Sequence, residues 1–218
     1  MGNIDEVRVW NFARTAGQIR ENYQRSLDGT ETGLVGWWNF DDSANPGKDR
    51  SRGGHHGKVV GNAVVVPTTR LSTPPTVAQA FTAQTGPKEM VLQLDGQASY
   101  VELPPGLVQS LDIATVEGWV RWDAFTTNAH FFEFSSRDHS LYVTEFNGTQ
   151  AELNDTRNLA ALLSSGKPWN YQRLAAENSL AAGQWNHVAV VTGRNGFKLY
   201  LNGALVETND LRASLWRR

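Results

Sequence analysis

WNHVAVVTGRNGFKLYLNGALVETN, residues 185–209, decides the fold. Its runs WNHVAVVTG, FKLYLNG and ALVETN are separated by Arg194-Asn195 before Gly196 and by Asn202-Gly203. Asn-Gly between two alternating runs is the strongest short-range hairpin signal, because both turn residues take positive φ there. The stretch reads as a three-strand meander, and no helical spacing competes with it.

The same cadence extends upstream. MVLQLD (90–95), SYVELP (99–104), TVEGWVRW (115–122), HFFEFSS (130–136) and HSLYVTEF (139–146) are short runs rich in β-branched and aromatic residues. Gly, Asn or Asp separates them, which is the rhythm of an all-β sandwich rather than of βαβ units. Residues 151–180 break the rhythm: AELNDTRNLAALL has partial helical spacing, while Gly166, Pro168 and Trp169 favour loop, so the segment is expected to be irregular. Residues 67–88 carry Pro67, Pro74, Pro75 and Pro87 among Thr and Ala, as a long surface excursion or a linker does.

Closer to the amino terminus, KVVGNAVVV (58–66) and LVGWWNF (34–40) read as strands around a polar loop at 41–57. IDEVRVW (4–10) alternates, with Ile4, Glu6, Arg8 and Trp10 on one side and Asp5, Val7 and Val9 on the other. Thr15 and Gln18 form a capping-box pattern, and Ile19, Tyr23 and Leu27 recur at i+4, which predicts one short amphipathic helix over about 16–25, ended by Asp28-Gly29.

Composition removes several function classes. The 218 residues hold 20 Lys and Arg against 22 Asp and Glu, a net charge of −2 that provides no broad positive field for nucleic acid or an anionic membrane. The absence of cysteine excludes a disulfide framework, a thiolate metal cage and a thiol nucleophile. The chain begins MGNIDEVRVW, without a secretory signal pattern, and no window approaches the ~18 apolar residues of a membrane span.

Catalytic patterns are also weak. Glycoside hydrolysis needs two carboxylates about 5–5.5 Å apart for retention, and no E-x-D-x-E string places acids on one strand face; Glu145, Glu152 and Asp155 are separated by turn residues. There is no G-x-S-x-G elbow, and His187 inside an apolar strand reads as a paired structural histidine. Adjacent His55 and His56 point to opposite sides of an extended segment and have no further ligand pattern for zinc. Trp37, Trp119 and Trp185 lie in strand patterns and are expected in the core. Trp169 and Tyr171 sit in a Pro/Asn loop and are the expected ligand-binding aromatics, with Asp138 and His139 as polar neighbours. Asn147-Gly-Thr149 and Asn154-Asp-Thr156 match the N-glycosylation string, which has meaning only in a eukaryotic secretory pathway.

LDGQASYVELP (94–104), TVEGWVRW and GQWNHVAVVTGRNGFKLYLNGALV (183–206) together resemble the laminin G-like, concanavalin A-like jelly-roll modules of large bacterial surface and sensor proteins. GLVGWWNFDD and DRSRGGHHGKVVG resemble the opening strands of that module, and IDEVRVWNFARTAGQIRENY resembles its closing strand and the helix after it. The resemblance implies a β-sandwich with one short amino-terminal helix. It also implies that GGHHG is a turn at the sandwich edge.

The order departs from the family's, since the closing strand comes first. Residues 1–28 therefore read as the closing strand and helix of a preceding laminin G-like module, or as a permuted or swapped closing strand. Residues 33–66 are opening strands, 67–89 a Pro/Thr-rich loop or linker, and 90–218 the main sandwich, truncated at its carboxyl end, where Leu211, Leu215 and Trp216 lack an obvious place to be buried. Three placements of Ile4–Trp10 fit: tandem copies, a slot filled in the same chain, or a slot filled in a neighbouring molecule by strand-swapped self-association. The family also suggests a structural calcium between the first strands and the closing strand, at Asp41 or Asp42 and Asp5. The implied function is a non-catalytic extracellular, cell-surface or periplasmic module that binds carbohydrate or protein. A jelly-roll glycoside hydrolase and a passive spacer are the alternatives.

Overall fold

The Asn202-Gly203 corner has φ values of 50° and 80°, the two positive values that such a hairpin turn requires. It joins β13 (Gly196–Leu201) to β14 (Ala204–Asn209), and β12 (Trp185–Gly193) pairs antiparallel with β13. The computed structural model describes residues 1–68, 89–108, 111–125, 129–136, 139–146, 156–165 and 171–210. Upstream lie β1 (Gly2–Trp10), α1 (Ala16–Asn22), β2 (Leu34–Trp38), β3 (Lys58–Val60), β4 (Val64–Thr68), β5 (Glu89–Leu94), β6 (Tyr100–Glu102) and β7 (Ala114–Trp122). They are followed by β8 (His130–Ser135), β9 (His139–Phe146), β10 (Thr156–Ser165) and β11 (Tyr171–Ala181).

Among the described residues the larger sheet runs β14-β13-β12-β7-β1-β5-β4, with β2 also paired to β1. The second sheet runs β11-β10-β9-β8, and β3 pairs with β6 as a separate ribbon. Ile4, Val9, Val116, Val120, Val188, Val190 and Leu199 of the first sheet meet Phe131, Leu141, Val143, Leu159, Leu163 and Leu174 of the second in one apolar core. Alternation on each strand supplies one inward face, so two such sheets bury both at once. This is the all-β sandwich that the strand cadence predicts, and it is consistent with the jelly-roll class that the resemblance implies.

β1 occupies the middle of the larger sheet. One edge pairs with β7 from Gly2 to Trp10, and the other pairs with β5 at Gly2–Ile4 and with β2 at Val7–Trp10, all within this chain. Simple alternation fails along it. The register slips between Asp5 and Arg8, and Glu6 has φ of 52°, so a bulge inserts one residue opposite Gly118. Ile4 and Val9 both face the core, whereas Arg8 and Trp10 face outward; the expected grouping of Ile4 with Arg8 and Trp10 is corrected by the bulge. Gly118 accommodates it, since a Cβ there would lie 2.9 Å from the Phe131 ring and 3.1 Å from the Val7 Cα.

The expected irregularity of 151–180 is also corrected. β10 and β11 are long antiparallel partners, with Leu159, Ala161 and Leu163 in the inter-sheet core and Ala160 buried on the other face. The small alanines between the leucines imitate helical spacing, while β9 on the other side of β10 imposes the strand period. Pro67 and Thr68 belong to edge strand β4, where a missing N–H is tolerated; residues 69–88 and 211–218 lie outside the described residues.

The outward face of the larger sheet is covered by residues 11–33. α1 starts with the predicted capping box between Thr15 and Gln18 and buries Ile19 against Ala189, Val191 and Tyr200. It ends at Asn22 rather than near 25, because the Tyr23 ring leaves the helix to meet Trp119 and His187, with centroids at 5.8 and 5.3 Å. The Arg8 guanidinium donates to the carbonyl oxygens of Asn22 and Arg25 at 3.1 and 2.6 Å, satisfying acceptors left by the stopped helix.

Beneath this cover lies a buried ionic network. Arg8 is 1% exposed and Glu117 0%. Glu117 accepts from Arg14 and, at 3.0 Å, from the Trp10 indole. Glu6 accepts from Arg8 at 2.5 Å and from the Trp37 indole at 3.0 Å. Trp37 and Trp119 are therefore buried under this cover rather than between the sheets, and Trp185 is half-buried beside Arg121. No helix among the described residues is long and apolar enough to cross a membrane.

Removing one member of a buried ionic network leaves its partners charged and unsatisfied, at about 3–5 kcal/mol. Glu117→Ala is expected to lose stability of that order in denaturant unfolding; a loss below about 1 kcal/mol, the range of exposed pairs, would contradict the network's role.

Candidate functional site

The four-stranded sheet has its inward face in the core, so alternation fixes what its outward face presents. Register places three rows across it. His130, Thr144, Ala160 and Ala175 form the first, Glu133, Tyr142, Leu162 and Arg173 the second, and Ser135, Ser140, Ser164 and Tyr171 the third. Each residue comes from a different strand, so the face is rigid and does not depend on a loop.

The polar and aromatic groups of these rows touch. The His130 ring stacks on Tyr142, with centroids 4.9 Å apart and planes at 15°. His130 Nδ1 lies 3.1 Å from Glu133 Oε2. Burial holds the Tyr142 hydroxyl above the ordinary phenol range, helped by the charges of Glu133 and Tyr171. Tyr171 is 55% exposed, and at the sheet's other end Arg173 lies over the Phe146 ring at 4.4 Å. Flat rings of this kind stack against the apolar face of a ligand ring, while the carboxylate, guanidinium and serines offer hydrogen bonds that fix its orientation.

Of the expected ligand-binding residues, Tyr171 belongs to this face, at the start of a strand rather than in a loop. His139 lies at the same end of the sheet, opposite Ser165, but shares the alternation of Leu141 and Val143, so the two do not share a face. Trp169 and Asp138 lie outside the described residues, as do Asn147, Thr149 and Asn154. His130, Glu133, Tyr142 and Arg173 were not singled out by sequence. Period-two reading of HSLYVTEF puts Tyr142 opposite Leu141 and Val143, a signal available in principle.

The calcium donors do not assemble. Asp5 Oδ1 accepts the Glu6 N–H of the bulge at 2.8 Å. Asp41 accepts from the Asn39 side chain and the Met90 N–H at 2.7 and 3.2 Å, and Asp42 lies 3.7 Å from Arg50. Among the described residues no three His, Asp or Glu side chains group to hold a metal ion. Asp5 thus bonds within the bulge, while Asp41 and Asp42 bond to Asn39, Met90 and Arg50.

Glu145, the described member of the three weighed as hydrolytic acids, is buried at the end of β9. It accepts the Ala129 N–H at 3.3 Å and lies 4.0 Å from Arg157. Glu152 and Asp155 lie outside the described residues. His187 is 1% exposed, packed between the Tyr23 and Trp119 rings and 3.9 Å from Glu117.

Comparison with known proteins adds family membership. The sequence model described as "Concanavalin A-like lectin/glucanases superfamily" matches residues 95–217. No curated protein matches the chain. Among solved structures, domain 4 of AbnA, a GH43 extracellular arabinanase from Geobacillus stearothermophilus in complex with arabinotriose, is similar at 20% identity and a TM-score of 0.47; the match covers 84% of this chain and 77% of that one.

Two outcomes follow. Addition of a chelator is expected to leave the melting temperature unchanged, and a drop would restore a cation to the acids at 5, 41 and 42. Burial raises the Glu145 pKa above its ordinary 4.5, while Ala129 and Arg157 oppose that shift. The folded state then holds this proton more tightly than the unfolded chain, so stability is highest below the ordinary value and falls as pH rises through the raised one. Melting curves between about pH 4 and pH 7 should show Glu145→Gln gaining on the parent as pH rises; parallel curves would contradict the shift.

Proposed function

The chain belongs to the concanavalin A-like lectin/glucanases superfamily, and from that membership we propose that it is a non-catalytic carbohydrate-binding module whose binding surface is the outward face of the four-stranded sheet. The observation that carries the reading is the stacked His130–Tyr142 pair, hydrogen-bonded to Glu133 and flanked by exposed Tyr171. A sugar ring has an apolar face and a hydroxylated rim, and the three rows supply a matching partner for each. Superfamily membership is compatible with lectins and glucanases alike. Binding is favoured on this face because hydrolysis requires two carboxylates flanking the bond, whereas Glu133 is the one carboxylate in the three rows. On the same reading the module works outside the cytoplasm, beside other laminin G-like modules of a larger surface or sensor protein.

A glycan array with the purified chain, followed by calorimetric titration of the sugars retained, tests this. Tyr142→Ala and Tyr171→Ala are each expected to weaken binding about tenfold, equivalent to about 1.4 kcal/mol, with little change in melting temperature for Tyr171→Ala. Unchanged affinity in both variants would overturn the assignment of this face. Release of reducing sugar from a polysaccharide panel would favour the hydrolase, and silence in both assays the spacer.

A further inference from the structure

The β3–β6 ribbon and edge strand β8 stand on either side of a cleft of about 680 Å³. Its floor is the edge of the sandwich core, where Trp38, Phe40, Val116 and Phe131 are buried and Val7, Leu94, Val101 and Leu103 stay partly open. Phe132 and Phe134 extend this apolar surface along the β8 wall. Polar groups gather at the mouth: Ser99, Tyr100, Glu102, His130, Glu133 and Ser135. Tyr100 is 51% exposed there. Volume and lining both fall in the range of small-molecule pockets, which are about 300–1,000 Å³, apolar within, and carry a few polar groups.

Charge at the mouth limits the occupant. Two carboxylates, Glu102 and Glu133, stand against a single imidazole, His130. An anionic head group would meet like charge, which disfavours fatty acids. An uncharged hydroxylated head can instead accept and donate hydrogen bonds with the serines, Tyr100 and the carboxylates. His130 and Glu133 belong both to this mouth and to the aromatic face that carries Tyr142 and Tyr171, so the two surfaces are continuous.

We propose that the cleft takes the apolar part of an amphiphile with an uncharged polyhydroxyl head, of the alkyl- or aryl-glycoside class. The chain lies along the partly open Leu94, Val101, Leu103, Phe132 and Phe134, and the head reaches out past His130 and Glu133. The identity of the head rests on the carbohydrate reading above; the apolar site does not.

The test uses the full chain and the neutral fluorescent probe N-phenyl-1-naphthylamine. Saturable one-site enhancement is expected. Dodecyl maltoside below its micelle threshold should displace the probe at a concentration at least tenfold lower than dodecanoate requires. Val101→Trp, which places an indole on the cleft wall, should weaken probe binding at least tenfold; Ser99→Trp at the mouth serves if the first variant fails to fold, as judged by its melting curve. Leu205→Ala on β14, at the far end of the larger sheet from the cleft, should leave probe binding unchanged. No saturable enhancement, full probe binding in a folded plugged variant, or equal displacement by dodecanoate would overturn the proposal. Probe binding with selective dodecyl maltoside displacement, but no affinity for free oligosaccharides, would sink the aromatic-face reading and leave the cleft standing.

Discussion

Ile4–Trp10 in the middle of the larger sheet is the constraint on which the rest of the structure depends. Both of its edges are used, by β7 on one side and by β5 and β2 on the other. A central strand has no solvent to satisfy its backbone, so its pairing must be complete. The bulge at Glu6 lets this one strand send Ile4 and Val9 into the core while Arg8 and Trp10 go outward. Asp5 secures the bulge by accepting the Glu6 N–H, and Gly118 gives it room. The outward side chains then help fix how residues 11–33 fold back, because Arg8 holds the Asn22 and Arg25 carbonyls and Glu117 ties Arg14 and Trp10 to β7.

That covered face has a functional consequence. Its charged groups are committed to one another, and its tryptophans are under cover, so the larger sheet offers little to a ligand over these strands. The four-stranded sheet differs. Its outward rows carry aromatic and polar side chains, with Thr144 and Ala160 buried among them and Tyr171 exposed. Tyr142 and Tyr171 are brought together from strands whose sequence positions are nearly thirty apart, through the shared partner β10. The shared residues His130 and Glu133 then connect this face to the cleft beside β8.

The strands were legible because their signals are local. The Asn202-Gly203 corner, the β-branched runs and the Thr15–Gln18 capping box each act within a few residues, and each appears where the sequence places it. Family membership was legible for the same reason, through motifs such as TVEGWVRW and FKLYLNG. What was hidden depends on partners distant in the chain. The bulge in β1 is set by pairing with β7, more than a hundred residues away, so alternation alone misplaced Ile4. β10 and β11 were obscured by alanines, which have little intrinsic preference for a strand and take it from the neighbours that bond to them. The candidate face was read only at Tyr171. Tyr142, His130 and Glu133 look like ordinary strand residues until register sets them side by side.

Amide hydrogen exchange along β1 tests this account most directly. A central strand opens only with the whole sheet, so its protection approaches that of global unfolding. The structure predicts that the amides of residues 4–10 exchange as slowly as those of Val116 and Val120 in β7 and Val188 and Val190 in β12. Exchange of residues 4–10 at the rate of a frayed terminus, with β7 and β12 still protected, would contradict it.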